Sequence, residues 1–541
     1  MVVSTIILLR QCIIPFMSET INTSNRQIAR AAGTVMVAFA LSQLIGLVRG
    51  ILVAKTFGLG PEMDAFGAAN VVPNLLFSLV AGGSLASAFV PIFTTKLASN
   101  DRPGAWRLVS SLINLSSIIL IAASFLAAIF APQIVHLIWP KYQQNLAVPL
   151  LRILLITSAV FGVSGIVSGI LNAHQHFLLP SLASSLYWLG WIIGLIFLVP
   201  SLGILGLAWG AVLGSVMHLC VQIPGLLRLP DRRYTPTLGL KNPDVREVAI
   251  LMGPRLIGVA TVQMNLLLNT IVANFIPDGS LAAINFAFPI MTVPLVIIGS
   301  GIGFATLPTF SAQVARGEIA ELKGSITSAL RGVLFLSVPA TFGLILLAPP
   351  LISAMYQYGK FSGQNTDWVA WALILYTIGL VGHATLEVVV RAFYALHDTK
   401  TPVLVGATAM TINLILSILL VLLFNKIGWI ALGGLALSTS IAAYVETGIL
   451  FGLLRKRLKG IQGRQLAIST LVAILGSLAM SVILIIWTHF MGTHSPVLTT
   501  LGGVVIGGAV YGLVLILLRV PEINSLFQWI KRRLSKRIPQ S

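Results

Sequence analysis

Cysteine and charge are what this chain has least of. Two cysteines, Cys12 and Cys220, stand among 541 residues, too few and too badly placed for a disulfide framework. No C-x-x-C or H-E-x-x-H spacing occurs, and His174, His176, His383 and His397 show no metal-ligand spacing. Charged residues make up 9% of the chain, against about a quarter in an ordinary soluble domain. Neither a Ser/His/Asp arrangement nor a phosphate-cradling glycine loop after a strand is evident, so an enzyme is not expected. Residues 2–9 are apolar but too short to span and lack a small-residue cleavage site. Met17 is an alternative start, and residues 1–16 are assigned no structure.

What is present is hydrophobicity: 57% of residues are apolar and the mean hydropathy is +0.96. Apolar runs of roughly 20 residues recur, each long enough to cross a ~30 Å hydrocarbon core as a helix. Backbone polar groups must be satisfied internally in lipid, and the runs are too long for barrel strands. The expected fold is an all-α polytopic membrane protein. Fourteen spans are read near 31–54, 67–95, 108–131, 147–172, 178–199, 204–227, 247–275, 281–311, 329–350, 368–394, 402–424, 429–453, 466–488 and 498–518. The formal charge of +19 follows this layout. With a cytoplasmic N-terminus, Arg102, Arg228, Arg232, Arg233, Arg455 and Lys456 fall on the cytoplasmic side, as does the tail with Lys531–Arg533. Lys55, Lys141, Lys360 and Lys426 are nearly all that lies opposite. That asymmetry follows the positive-inside rule and places both termini in the cytoplasm. The positive charge is therefore read as orientation and contact with anionic lipid, with no nucleic-acid partner.

Two stretches at an offset of roughly 220 residues look alike. NAHQHFLLP (172–180) and YALHDTKTP (394–402) each join two spans, with Ala173 and Ala395 seven residues before Pro180 and Pro402. Gly203 and Ser215 are spaced as Gly428 and Ser440 are. Spans 1–6 thus map onto spans 7–12 as parallel repeats. The expected divisions are a cytoplasmic N-terminal segment (1–30), an N-lobe (31–228), a cytoplasmic linker (229–246), a C-lobe (247–458), two further spans (459–519) and a basic tail (520–541). The second span of each half is broken: Pro73, Gly82, Gly83 and Pro91 in one, Pro289, Pro294, Gly301 and Pro308 in the other. Matching Gly/Pro breaks point to a transport site whose gates bend there; close helix packing is the alternative.

A few charges lie inside the apolar runs. Arg49 is about sixteen residues into the first span, past mid-membrane at 1.5 Å per residue. Arg255 lies in MGPRLIG, about a third of the way into the seventh. A central arginine costs about 2.5–3.5 kcal/mol on insertion scales, and a guanidinium is the natural fork for phosphate. Snorkelling to headgroups is the alternative for each. Asp64 either pairs with Arg49 or is a solvated loop acid. Glu387 and Arg391, four apart, are expected to neutralise each other. Glu446 is a buried acid without an obvious partner, a candidate for coupling Na+ or H+. Arg152 most simply snorkels.

SQLIGLVRGILVAKTFGLGPEMDAFGAANVVPNLLF (42–77), GGSLASAFVPIF (82–93), QYGKFS (357–362) and FYALHDTKTPV (393–403) together resemble the lipid II flippases, the MurJ/MviN family. That family belongs to the multidrug/oligosaccharidyl-lipid/polysaccharide exporter superfamily. The resemblance implies fourteen helices as two six-helix lobes plus two C-terminal helices. It also implies outward movement of an undecaprenyl-pyrophosphate-linked peptidoglycan precursor by alternating access. A cationic cavity would take the pyrophosphate, and a groove near the last two helices the lipid tail. Arg49 stands where the family has its first-helix arginine, Asp64 where it has an acid, and Asn74 lies in the PNLL block. Elsewhere the chain departs. Gly50 replaces the aspartate after the arginine, and Gln43 another arginine. Phe77-Ser78 replaces a basic pair, Gly82 an acid, and Phe288-Pro289 an Asp-Arg pair. Arg255 is a candidate to replace some of that charge.

The resulting expectation is a transporter with no resident cofactor, in the bacterial inner membrane. Its substrate is a polyprenyl-pyrophosphate-linked saccharide, lipid II first, driven by a coupling ion (Na+ or H+) or the membrane potential. Arg49, Arg255, Asp64 and Asn74 are the candidate substrate contacts. The rivals are a flippase for another polyprenyl-linked glycan, a cation-coupled multidrug antiporter working through Glu446, and a non-transporting scaffold for envelope assembly.

Overall fold

The computed structural model describes residues 23–80, 83–142, 144–230, 232–491 and 495–518. The basic tail, residues 1–16 and Gly82 lie outside them. Among the described residues every regular element is helical and no strand occurs. Eleven helices are long and apolar enough to cross a membrane, or thirteen when each of two bent pairs is counted as one span. The chain is a multi-pass, all-α membrane protein.

It divides into two compact units, Met1–Val53 with Ala65–Leu267, and Ala54–Asp64 with Leu268–Ser541. The divisions fall near the C-terminal ends of the helices Thr23–Phe57 and Pro243–Val272 and within the short helix Pro61–Ala69. The first unit contains α1 (Thr23–Phe57, up to Val53), α2 (Pro61–Ala69, from Ala65), α3 (Val71–Val80), α4 (Gly83–Ala98), α5 (Arg102–Ile129), α6 (Ala131–Ile138), α7 (Gln144–Ala173), α8 (Leu178–Ile193), α9 (Val199–Leu202), α10 (Ile204–Cys220), α11 (Ile223–Leu227) and most of α12 (Pro243–Val272). Phe89, Phe93, Trp106, Leu112 and Ile170 fill its core from α4, α5 and α7. Lipid is as apolar as leucine, so helices in a membrane associate by close packing rather than by hiding from water. The α8–α10 seam shows this. A Cβ on Gly190 would lie 2.2 Å from the Gly214 Cα, and one on Gly194 would lie 2.3 Å from the Gly210 Cα.

Residues 229–246, expected as a linker, are anchored to α5. The Tyr234 hydroxyl donates to Asn114 Oδ1 (2.6 Å), Asn114 Nδ2 to the Thr237 carbonyl (2.9 Å) and the Thr235 amide to Ser110 Oγ (3.1 Å). Lys96, ending α4, bridges Asp101 at 3.1 Å and Asp244 at 2.9 Å.

The second unit contains the remainder of α12, α13 (Ser280–Leu295), α14 (Gly301–Ala315), α15 (Ile319–Tyr356), α16 (Gly363–Ile378), α17 (Leu380–Ala395), α18 (Lys400–Ile427), α19 (Leu432–Arg457), α20 (Gly463–Met491) and α21 (Pro496–Leu517). Phe310, Val333, Phe393 and Leu450 pack in one core. Phe335, Met480, Leu484 and Tyr511 pack in another, where the Tyr511 hydroxyl donates to the Phe335 carbonyl at 2.8 Å.

The repeat in the sequence has a backbone counterpart. Left-handed residues recur in pairs at an offset of roughly 220 residues: Gly58 and Gly279, Asn100 and Gly317, Gln175 and His397, Gly203 and Gly428, Gly239 and Gly460. Most sit where one helix ends and the chain turns, the usual place for a left-handed residue, while Gly239 precedes α12 and Gly279 caps the start of α13.

Candidate functional site

In the first unit the site is built around Arg49. The apolar run on both sides makes α1 continuous there, so the guanidinium must find its company laterally. It lies 4.5 Å from the centre of the Trp188 ring system and 4.7 Å from that of Trp191, both on α8. Trp188 and Trp191, three apart, share one face of α8. Gly46, one turn before Arg49, seats the indole, since a Cβ there would come within 3.3 Å of Trp188 Nε1. The rings are themselves held. Trp191 is buried and meets Phe66 edge-on at 5.3 Å, and Tyr187 lies 4.7 Å from Trp188 and 5.0 Å from Phe161. Arg49 is half-buried on tryptophan faces of its own unit, the geometry of a cation–π pair. Snorkelling would instead run the side chain along apolar surface to a headgroup.

Behind this cluster lies a polar network that no motif in the chain announces. Ser164 Oγ and His218 Nδ1 are 2.6 Å apart, Gln222 Nε2 donates to Ser164 Oγ at 2.9 Å, and Ser168 Oγ donates to Gln222 Oε1 at 2.7 Å. Gln222 is fully buried. These groups satisfy one another between α7 and the end of α10, as buried polar groups must.

Asp64 belongs to the second unit and is 1% exposed, which corrects the solvated-loop reading. One carboxylate oxygen accepts from the Gly279 amide and the other from the Ala282 amide, each at 2.7 Å. Those amides open α13, so an acid there meets both unpaired donors and the positive end of the helix dipole. Gly279 is left-handed (φ +86°), and a Cβ on it would lie 2.7 Å from the Leu59 carbonyl oxygen. Beside it, the Lys360 amide donates to the Lys55 carbonyl at 3.0 Å. Cβ atoms on Gly58 and Gly359 would strike the Lys360 and Lys55 carbonyls in turn. The KTFGLG and QYGKFS stretches therefore form one clasp.

The break expected in the eighth span appears as a change of helix type: α13 runs into a π turn at Val296–Ser300, just after Pro294 and before Gly301. A further π turn, at Gly194–Leu198 after α8, falls where the sequence marked no break. Pro289 and Pro294 both lie inside α13. Pro73 is buried in α3 and Asn74 exposed. Gly83 begins α4. Arg255 is on α12, where Pro243–Gly253 and Gly258–Phe275 meet at 47°; its side chain lies outside the described residues.

Glu387 and Arg391 form the expected pair, 2.6 Å apart. The Arg391 guanidinium also lies 4.7 Å from the Phe304 ring centre, and Gly303 leaves the space. Glu446 on α19 is half-buried opposite Gly406 of α18, where an added Cβ would sit 3.2 Å from Glu446 Oε1. Arg152 Nε donates to the Ala128 carbonyl at 3.0 Å. Among the described residues no three His, Cys, Asp or Glu side chains are grouped to hold a metal ion.

Known proteins fit this fold. The family model described as lipid II flippase MurJ matches residues 53–504. The lipid II flippase MurJ of Burkholderia cenocepacia is 30% identical over 438 residues, covering 79% of this chain and 84% of the relative. The probable lipid II flippase MurJ of a Synechocystis species is 28% identical over 533 residues, covering 93% and 97%. A solved lipid II flippase MurJ in an inward closed conformation superposes with a TM-score of 0.75 at 26% identity, over 90% of this chain and 98% of that one. An inward-facing multidrug resistance MATE transporter of the MOP superfamily shares the fold at TM-score 0.65 and 16% identity, over 84% and 98%. By the extent of the family match and by its relatives, the chain belongs to the lipid II flippase MurJ family.

Proposed function

We propose that the chain moves undecaprenyl-pyrophosphate-linked peptidoglycan precursor, lipid II, from the inner to the outer face of the bacterial cytoplasmic membrane by alternating access. The observation that carries the site is the Arg49 guanidinium, set midway in an apolar helix and held on the faces of Trp188 and Trp191. A saccharide headgroup cannot cross hydrocarbon unaided, and its pyrophosphate needs a cation within the protein to replace water. Arg49 takes that role, and Arg255 receives the pyrophosphate from the cytoplasmic side. The Pro/Gly breaks of the second span, at Pro73, Gly82 and Gly83, and of α13 and α14, at Pro289, Pro294 and Gly301, permit the bending that gating requires. We count α1 with the thirteen segments above as fourteen spans, two six-helix lobes and a final pair with both termini cytoplasmic, a reading supported by the helix lengths and the charge asymmetry.

Replacing Arg49 by Ala should abolish complementation of a flippase-depleted strain at normal membrane abundance. Full complementation by that variant would reject the role. A second reading rests on Glu446, an acid half-buried on α19 against Gly406 of α18. It is the candidate site for a coupling ion, Na+ or H+. Glu446→Gln should then lose the dependence of transport on that ion's gradient.

A further inference from the structure

The family resemblance places an aspartate directly after the first-helix arginine, and here that residue is Gly50. A carboxylate would hold the guanidinium by taking its N–H groups in line. This chain sets the guanidinium against ring faces from a helix about 140 residues further along. We propose that Trp188 and Trp191 are positioning residues for Arg49, fixing its guanidinium for the pyrophosphate of a polyprenyl-linked substrate. This rests on the function proposed above and adds what orients the cation.

A ring face attracts a cation through its quadrupole and does not accept N–H groups as a carboxylate does. The cradle therefore sets where the cation lies. It is also rigid: Trp191 is buried against Phe66, Trp188 is backed by Tyr187, and the α8–α10 glycine seam holds the helix that carries both. Gly46 is the matching concession on α1, because any side chain there would press on the Trp188 indole. Three separate features thus serve one placement: the ring spacing on α8, their packing behind, and the missing Cβ on α1.

The test uses the purified full-length protein and two probes, geranylgeranyl pyrophosphate and geranylgeraniol, with binding measured by calorimetry. Trp188→Leu keeps an apolar side chain and removes the ring. It should bind the pyrophosphate probe about tenfold more weakly, the loss expected for one strong cation–π contact. Binding of the uncharged alcohol should not change. Trp188→Phe, which restores a face, should recover most of the affinity. In an Arg49→Gln background Trp188→Leu should add nothing, because the ring acts through the cation. Gly46→Ala should weaken binding of the pyrophosphate probe alone, and serves if Trp188→Leu does not fold. Equal binding by Trp188→Leu and wild type, or an undiminished ring effect without Arg49, overturns the positioning role. Should the wild type itself fail to prefer pyrophosphate over alcohol, the proposed function falls first, and the inference with it.

Discussion

Single residues in this protein are often decided by partners far away in sequence. Asp64 is the clearest case: its two acceptors serve amides more than two hundred residues later. Asp64→Ala would leave two buried donors unpaired at about 1–3 kcal/mol each. Its midpoint in chemical unfolding should drop accordingly, and Asp64→Asn should lose less. Loss of transport at unchanged stability would instead assign Asp64 to the substrate. Asp398 offers a test by pH. Its carboxylate accepts from the Thr401 amide at 3.0 Å and hydroxyl at 2.9 Å and pairs with Arg457. The amide bond, followed by the hydroxyl and Arg457, outweighs burial and holds it below its ordinary 3.8. The folded value lies below the unfolded one, so its contribution is complete above the unfolded value and disappears as pH falls through the folded one. Thermal stability should fall on acidification from about pH 5 to 3, and fall less in Asp398→Asn. Parallel curves for the two proteins would remove the role.

Elements were legible in the sequence where composition alone makes them. Long apolar runs with Gly and Pro at their breaks gave the helices, and spacing gave Glu387 with Arg391. What stayed hidden depends on three-dimensional neighbours. Nothing near Arg49 in sequence names Trp188 and Trp191, because α1 and α8 meet only after three intervening spans have packed. The Ser164–His218–Gln222 network escaped for the same reason, its members lying on two helices. The π turn after Pro294 follows from how α13 and α14 join, although the proline marked the place. The α8–α10 seam is the element whose failure should show most plainly. A valine at Gly190 would drive a Cβ into backbone 2.2 Å away, and overpacking of this sort costs about 1–3 kcal/mol. Gly190→Val should lower folded yield and also weaken pyrophosphate binding, since α8 carries both tryptophans. Normal yield with normal binding would show that α8 does not need this close approach.

At the scale of the whole molecule, the paired left-handed turns mean that the two halves share a chain path as well as a hydropathy pattern. In the function proposed above each half has an even number of spans, which would make the repeats parallel, with charge setting their orientation. This has a direct consequence for which loops face which side. Lys141, between α6 and α7, should lie outside; Lys241, in the segment anchored to α5, should lie in the cytoplasm. In a background with Cys12 and Cys220 replaced by serine, Lys141→Cys should react with a membrane-impermeant maleimide in intact spheroplasts. Lys241→Cys should react only after permeabilisation. Both positions are turns outside the long apolar helices, so neither substitution removes packing. The reverse pattern would invert the protein, move the exposed basic residues outside, and turn Arg49 toward the cytoplasmic half; labelling of both in intact spheroplasts would break the even count of spans on which the parallel repeat depends.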